Sequence, residues 1–122
     1  MTLLCEDQNR GHFSKDNYDI IMDHVEWCDV IVIGPGLGAY DDVVILIEEL
    51  VKNINKPMVI DADGLRLFYN NITLFQEINP NIVITPHLGE LSNLIGIKSQ
   101  ELRNNLLVVF LVLEVASFPR GP

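Results

Sequence analysis

Several features that would assign a protein to a functional class are scarce in this chain of 122 residues. Its only two cysteines, Cys5 and Cys28, are too few for a disulfide framework and do not have the spacing of a zinc site. Only 8 lysines and arginines stand against 17 acidic residues, which gives a formal charge of −9. This charge offers no net attraction to nucleic acid or to an anionic membrane surface, so we expect neither as a partner.

A long apolar run and a secretory signal are also missing. The longest apolar segment, Leu106–Leu113, is far shorter than the roughly 20 residues of a membrane-spanning helix. The first residues lack the basic segment and apolar core of a signal peptide. We therefore expect a cytoplasmic protein with reduced thiols. With 48% hydrophobic and 20% charged residues, the composition is that of one globular domain.

From residue 29 onward, strand-like and helix-like segments alternate, which is typical of an α/β domain with a parallel sheet. Short, continuous apolar runs predict buried strands. We predict one over Asp29–Gly34, one over Lys56–Asp61, and a third that follows a turn within Asn79–Thr85. Helical patterns follow over Asp41–Asn53, Gly64–Asn71 and Pro86–Gly96.

Apolar periodicity predicts which faces of the helices point inward. In the helix predicted over Asp41–Asn53, either Asp41 or Asp42 is expected to cap the N-terminus. Its inward face is predicted to contain Val43, Val44, Ile47, Leu50 and Val51. The earlier part of the chain is less regular, with a possible strand over Thr2–Cys5 and a short helix over Asp19–Trp27. The inward residues of that short helix are predicted to be Ile20, Ile21, Val25 and Trp27.

The ends of the three predicted strands indicate where a ligand would bind. In a parallel sheet these ends lie along one edge, and ligands of open α/β sheets bind in the crevice outside it. Three segments rich in glycine, acid or proline should therefore face one crevice. They are the glycine loop GPGLG (Gly34–Gly38), DADG (Asp61–Gly64) and TPHLGE (Thr85–Glu90).

The glycine loop allows several interpretations. Its glycines permit a tight turn and close approach of a ligand to the backbone. Gly34–Ala39 also matches the dinucleotide pattern G-x-G-x-x-G/A, in which Asp61 would bind a ribose. Pro35 removes one amide donor from that pattern, and an ordinary tight turn has the same composition.

The acidic residues and the histidine near the crevice also have two possible roles each. Asp61 and Asp63 could hold the water shell of Mg²⁺ or accept hydrogen bonds from ribose hydroxyls. Alternatively, Asp63 caps the helix that begins at Gly64, while Asp61 braces neighbouring loops. His87 and Glu90 share the first turn of the helix that is predicted to open with Pro86. They could meet a metal-bound water or a phosphate there, or be structural. His12 and His24 lack such a context, and we expect them to be solvated.

Taken together and in this order, "VIGPGLG", "VIDADGL" and "ITPHLGE" resemble the ADP- or ATP-dependent NAD(P)H-hydrate dehydratases. The resemblance implies a ribokinase-like α/β/α fold of three layers with a mainly parallel sheet. It also implies a metabolite-repair lyase. In that family the nucleotide phosphorylates the hydroxyl of the hydrated nicotinamide ring, and loss of phosphate restores NADH or NADPH from NADHX or NADPHX. Mg²⁺ is the implied cofactor, ADP or ATP the co-substrate, and a homo-tetramer the assembly of bacterial relatives.

The resemblance assigns roles residue by residue. Gly36 and Gly38 would contact the hydrated dinucleotide, and His87 matches the histidine that binds the same substrate. Asp61 and Asp63 would line the same crevice. Glu90 resembles the acid that related kinases place near magnesium and phosphate.

The same resemblance implies a larger protein, because domains of this family are more than twice as long. Residues 1–102 would form a central part of such a domain, incomplete at both ends, and residues 103–122 would form a tail that does not match. The expected Lys-Gly strand end and the "GTGD" loop with the catalytic aspartate have no counterpart here. We therefore expect no catalytic residue in this chain, and weak or absent activity from it alone.

Three other interpretations are open. A kinase for a vitamin precursor would share the fold, but often has asparagine where His87 stands. A small Rossmann-type module would bind unmodified NAD tightly. A non-catalytic fragment would self-associate through exposed sheet edges and the apolar tail.

Overall fold

The computed structural model describes residues 2–78 and 81–104, apart from the side chains of residues 102 and 104. Its strands are β1 (Ile31–Ile33), β2 (Met58–Ile60) and β3 (Ile82–Ile84). Its α-helices are α1 (Tyr18–Val25), α2 (Asp41–Asn53), α3 (Leu88–Ile95) and α4 (Ser99–Asn104), and 3₁₀ helices cover Lys15–Asn17, Ala62–Phe68 and Ile72–Gln76. Residues 79 and 80, which open the segment predicted as a turn followed by the third strand, lie outside the described residues. Residues 105–122 of the predicted tail also lie outside them. The boundary at residue 102 stays a prediction.

The three strands pair side by side in chain order, and both pairings are parallel. Because strand order follows chain order, right-handed crossovers place both connections on one face of the sheet. Ile33, Met58 and Ile60 are buried against that face. The α/β fold with a parallel sheet is therefore confirmed, and the carboxyl ends of all three strands lie at one edge.

The second helix forms the main helical side of the core. Its buried residues are Val43, Leu46, Ile47, Leu50 and Val51. They recur at intervals of three and four, so they form one stripe that faces the sheet. Burying each of these side chains contributes about 1.5–3 kcal/mol to the stability of the fold. Val44 is half-buried and packs against the core, as predicted. Leu46, which was not predicted to point inward, is buried in the stripe.

The opposite face of the sheet presents a row of three valines. Val32, Val59 and Val83 stand next to one another across the strands. Val32 is 64% exposed and Val83 is 59% exposed. Side chains alternate between the two faces of a sheet, so this valine row is the counterpart of the buried isoleucines. No element within residues 2–78 and 81–104 buries its outer members.

Burial corrects two predictions about the first helix. Ile21 and Val25 pack against the core as expected. Trp27, however, is 83% exposed, because the helix ends at Val25 and its periodicity no longer applies there. Ile20 is also exposed, since it is rotated by about 100° from Ile21 around the helix axis.

Two local predictions near the helix and strand ends are also wrong. Residues 2–7 have no regular structure, so Thr2–Cys5 is not a strand. Leu4 in that segment is 86% exposed, and an apolar run without a hydrogen-bonded neighbour does not form a strand. Neither Asp41 nor Asp42 caps α2, because Tyr40 occupies the N-cap position and both acids lie in the first turn. Their negative charges still interact favourably with the helix dipole at that end.

Candidate functional site

The first two strand-end segments are joined by hydrogen bonds at the carboxyl edge of the sheet. The Asp61 N–H donates to the carbonyl of Ile33 over 3.0 Å. Beyond the strands, the Gly38 N–H donates to Oδ2 of Asp63 over 2.9 Å. The third segment joins the same edge through the Thr85 N–H, which donates to the carbonyl oxygen of Ile60 over 3.2 Å. The three segments that the sequence predicts to face one crevice therefore lie at one edge of the sheet.

Close backbone contact explains the first glycine of the loop. Gly34 has φ +137°, and a Cβ built on it would lie 1.6 Å from the carbonyl oxygen of Asp61. Gly64 faces it from the other segment, where a Cβ would lie 2.9 Å from the carbonyl oxygen of Ile33. Only hydrogen atoms fit between the two backbones. The composition of the loop indicated this freedom for Gly34, whereas nothing in the sequence indicated the matching role of Gly64.

The other two glycines of the loop have different surroundings. A Cβ on Gly36 would meet no atom within 4 Å, so its backbone is open to a ligand. A Cβ on Gly38 would lie 2.6 Å from Cε2 of the Tyr40 ring. The loop is thus open at Gly36 and packed at Gly38.

The two aspartates exchange the structural roles that one interpretation of the sequence assigned to them. Asp61, not Asp63, occupies the N-cap position of the 3₁₀ helix Ala62–Phe68, and its side chain makes no capping hydrogen bond. The prediction that the helix begins at Gly64 is also wrong by two residues. Asp63 instead braces the glycine loop through the bond from Gly38. Between them, Ala62 has φ +49°, an unfavourable conformation for a residue with a side chain, held by the surrounding contacts.

His87 and Glu90 form a reciprocal cap at the start of α3. The Glu90 N–H donates to Nδ1 of His87 over 3.2 Å, and the His87 N–H donates to Oε1 of Glu90 over 3.1 Å. The helix begins at Leu88, so Pro86 precedes it rather than lying in its first turn. Because Nδ1 accepts a hydrogen bond, the ring proton of neutral His87 is on Nε2.

The exposure of the two side chains in this cap differs. The side chain of His87 is 74% exposed, whereas that of Glu90 is 14% exposed. His87 therefore holds the helix with one ring nitrogen and presents the other, an N–H donor, to solvent. Nε2 lies 3.6 Å from Oε1 of Glu90, too far for a hydrogen bond between them.

An apolar cavity of about 320 Å³ lies behind the glycine loop. Gly34, Pro35 and Leu37 of the loop line it, together with residues of α1, α2 and β1. The imidazole of His24 and the thiol of Cys28 are the polar side chains among its lining residues. A cavity with so few polar groups does not match the convergent polar groups of a nucleotide site. The edge of the sheet where the three strand-end segments meet remains the candidate site.

Two kinds of site are missing from the described parts of the chain. No three or more His, Cys, Asp or Glu side chains within residues 2–78 and 81–104 are grouped so that they could hold a metal ion. In the same residues, no helix has the length and hydropathy that crossing a membrane requires.

Comparison with known proteins decides the family. A family model described as NAD(P)H-hydrate dehydratase matches residues 3–110. The chain belongs to the NAD(P)H-hydrate dehydratase family. The resemblance of the three strand-end motifs is thereby confirmed, and the match begins upstream of them, at residue 3. The role of each individual site residue stays a prediction.

Curated relatives in this dehydratase family are much longer than the chain. A bifunctional NAD(P)H-hydrate repair enzyme of Escherichia coli is 40% identical over 93 residues, which are 73% of this chain and 16% of the relative. The corresponding enzyme of Moorella thermoacetica is 29% identical over 109 residues, which are 89% of this chain and 21% of the relative. An ATP-dependent (S)-NAD(P)H-hydrate dehydratase of Drosophila melanogaster is 35% identical over 94 residues, which are 75% of this chain and 31% of the relative. The chain thus spans about a sixth to a third of the relatives that it matches.

Sequence reasoning missed one contact next to the glycine loop. The ring of His12 stacks on the ring of Tyr40, with centroids 4.1 Å apart and planes inclined by 17°. His12 is half-buried by this contact, so the expectation that it is solvated is wrong. The two residues lie far apart in the sequence, and no periodic pattern relates them.

Proposed function

We propose that this chain carries the substrate-binding part of an NAD(P)H-hydrate dehydratase, which binds NADHX or NADPHX in the crevice at the carboxyl edge of the sheet. The observation that carries the proposal is the bond between Gly38 and Asp63, which fixes the glycine loop while the backbone of Gly36 stays open. An open backbone beside polar side chains suits a hydrated, hydroxyl-bearing ring.

Each group at this edge has a chemical role in the proposal. The open backbone at Gly36 lets the substrate approach closely. The Nε2–H of His87 donates a hydrogen bond to the substrate, and the carboxylate of Asp61 accepts one from a hydroxyl. Asp63 holds the loop, and Glu90 holds His87 through the cap.

ATP is the proposed co-substrate, because the name of the Drosophila relative states ATP dependence. Phosphorylation of the ring hydroxyl by ATP would leave ADP, and loss of the phosphate together with a proton from the adjacent ring carbon would restore the dihydronicotinamide. For Mg²⁺, the described residues do not fit a metal site by themselves, since no three His, Cys, Asp or Glu side chains within residues 2–78 and 81–104 are grouped around one position. We therefore derive no step through that ion.

The test is a calorimetric titration of this chain with NADHX, with NADH and NAD⁺ for comparison. We expect NADHX to bind more tightly than either, because only NADHX carries the added hydroxyl. The decisive variant is His87→Asn, since asparagine is a good N-cap residue but does not reach as far as Nε2. Loss of one hydrogen bond to the substrate should weaken binding about 2- to 12-fold.

Matched variants separate binding from helix capping. Glu90→Gln perturbs the same cap without removing Nε2, so it should leave the affinity closer to that of the unchanged chain. His24→Asn replaces a histidine in the wall of the apolar cavity and should have no effect on NADHX binding. Equal affinity for NAD⁺ and NADHX, unaffected by His87→Asn, would contradict the proposal and favour a Rossmann-type module.

The valine row supports a second candidate, a chain that self-associates without catalysis. Within residues 2–78 and 81–104, no further strand pairs with the outer edge of β1 or of β3. An exposed apolar row beside such edges is the kind of surface on which another copy can pack. Light scattering during size-exclusion chromatography should then show a mass that rises with concentration. The double variant Val32→Thr/Val83→Thr should reduce that rise, because it adds hydroxyls to the exposed face. A compact monomer with NADHX affinity would exclude this candidate.

A further inference from the structure

Tyr40 lies between the glycine loop and the N-terminal segment of the chain. On one side, its Cε2 and Cδ2 atoms lie 2.6 and 2.9 Å from the position of a Cβ on Gly38. On another side, the ring of His12 stacks on it with a centroid distance of 4.1 Å. A side chain at position 38 would overlap the ring, so the glycine there makes room for the tyrosine.

His12 is presented to Tyr40 by a locally ordered segment. The carboxylate of Asp7 accepts hydrogen bonds from the N–H groups of Asn9 and Gly11, over 2.9 and 3.1 Å. Following this turn, the buried Ser14 and Asn17 form a reciprocal cap. These bonds fix the backbone on both sides of His12, so its side chain loses little conformational freedom when the ring stacks on Tyr40.

A further contact ties the same segment to the start of α2. Nη1 of Arg10 lies 4.0 Å from carboxylate oxygens of both Asp16 and Asp42. Exposed ion pairs at this distance contribute little stability, and the stack is therefore the main contact to be tested.

Gly38 is consequently held from two directions. Asp63 accepts the hydrogen bond from its N–H, and Tyr40 packs against its Cα. We propose that Tyr40, held in place by His12, is a positioning residue that keeps the glycine loop in the conformation that exposes Gly36. This inference rests on the proposed function for its consequence in substrate binding, but its structural part can be measured without substrate.

The first measurement is hydrogen exchange of the Gly38 amide by NMR, with the resonances of the Gly38 α-protons as a second readout. In Tyr40→Ala we expect faster exchange, by about 2- to 12-fold, the range that corresponds to losing one aromatic pair. The ring-current shift of the α-protons should disappear. Tyr40→Phe should restore both readouts, because packing and stacking do not need the hydroxyl group.

The role of His12 is tested by a double-mutant cycle. His12→Ala should change the exchange of Gly38 in the same direction as Tyr40→Ala, but by less. In the double variant, the Gly38 amide should exchange no faster than in Tyr40→Ala alone, because His12 acts through the tyrosine. Tyr69→Ala is the matched control, since Tyr69 makes an aromatic contact with Arg66 outside the crevice. It should leave Gly38 unchanged.

Titration with NADHX then connects the loop to binding. The complete proposal is supported if Tyr40→Ala binds NADHX more weakly and Tyr40→Phe binds it as tightly as the unchanged chain. Faster exchange at Gly38 in a chain that binds no NADHX leaves the positioning role intact and rejects the proposed function. Unchanged exchange and an unchanged α-proton shift in a folded Tyr40→Ala variant would overturn the positioning role.

Discussion

Replacing Gly34 with alanine is the most direct test of how the candidate site is built. The new Cβ would lie 1.6 Å from the carbonyl oxygen of Asp61, in a backbone conformation with φ +137°. Reaching a tolerable separation of 3.0 Å requires the two segments to move apart by about 1.4 Å. That movement would break the crevice at the point where β1 and β2 end.

Three contributions determine the expected loss of stability. The unfavourable φ of a residue with a side chain costs about 1–3 kcal/mol. Overpacking against a fixed backbone costs about another 1–3 kcal/mol. The displaced carbonyl of Asp61 also accepts the Gly64 N–H over 3.0 Å, and losing that bond costs about 1 kcal/mol. The sum of about 3–7 kcal/mol is a large share of the total stability of a domain, about 5–15 kcal/mol.

Urea unfolding followed by far-ultraviolet circular dichroism measures this loss. Tryptophan fluorescence would be a poor probe, because the single tryptophan, Trp27, is 83% exposed in the folded chain. Gly36→Ala is the matched control in the same loop, since φ is also positive there but the Cβ meets no atom within 4 Å. The free energy of unfolding of Gly36→Ala should fall by only about 1–2 kcal/mol, the cost of a left-handed backbone conformation. Equal losses for the two variants would refute the close-contact explanation.

Two further substitutions test single bonds that hold the site and the sheet. Asp63→Ala removes the acceptor of the Gly38 N–H and should lower the free energy of unfolding by about 1–3 kcal/mol, whereas Asp63→Asn keeps an acceptor and should lose less. Equal losses in urea unfolding would contradict the role of that bond. Lys56→Met should also lower the free energy of unfolding by about 1–3 kcal/mol, because Nζ of Lys56 donates to the carbonyl of Val25, the last residue of α1, over 2.7 Å and to that of Cys28 over 2.5 Å. Unchanged stability of Lys56→Met would show that these bonds add nothing to the packing of α1.

The two proposals depend on different atoms and can fail separately. Substrate binding depends on the exposed Nε2 of His87 and the open backbone of Gly36. Loop positioning depends on the packing of Tyr40 against Gly38 and His12. Hydrogen exchange needs no substrate, so it tests the second set of contacts even if the first proposal is rejected.

Local sequence patterns determined the elements of this protein. Continuous apolar runs predicted β1, β2 and β3, and an apolar stripe with a period of 3.6 predicted α2. The parallel sheet follows from the alternation of these elements, because each crossover returns the chain in the same direction. The meeting of the three strand-end segments at one edge could therefore be deduced before the structure was known.

Only the tertiary structure decided which side chains contact one another at that edge of the sheet. The pattern could not show that Asp63 reaches across to the Gly38 N–H while Asp61 takes the cap position. It also could not show that His12 stacks on Tyr40. The physical reason is that periodicity reports only neighbours along one element. Contacts between elements depend on distances of 2–4 Å that arise only when the backbones have packed together.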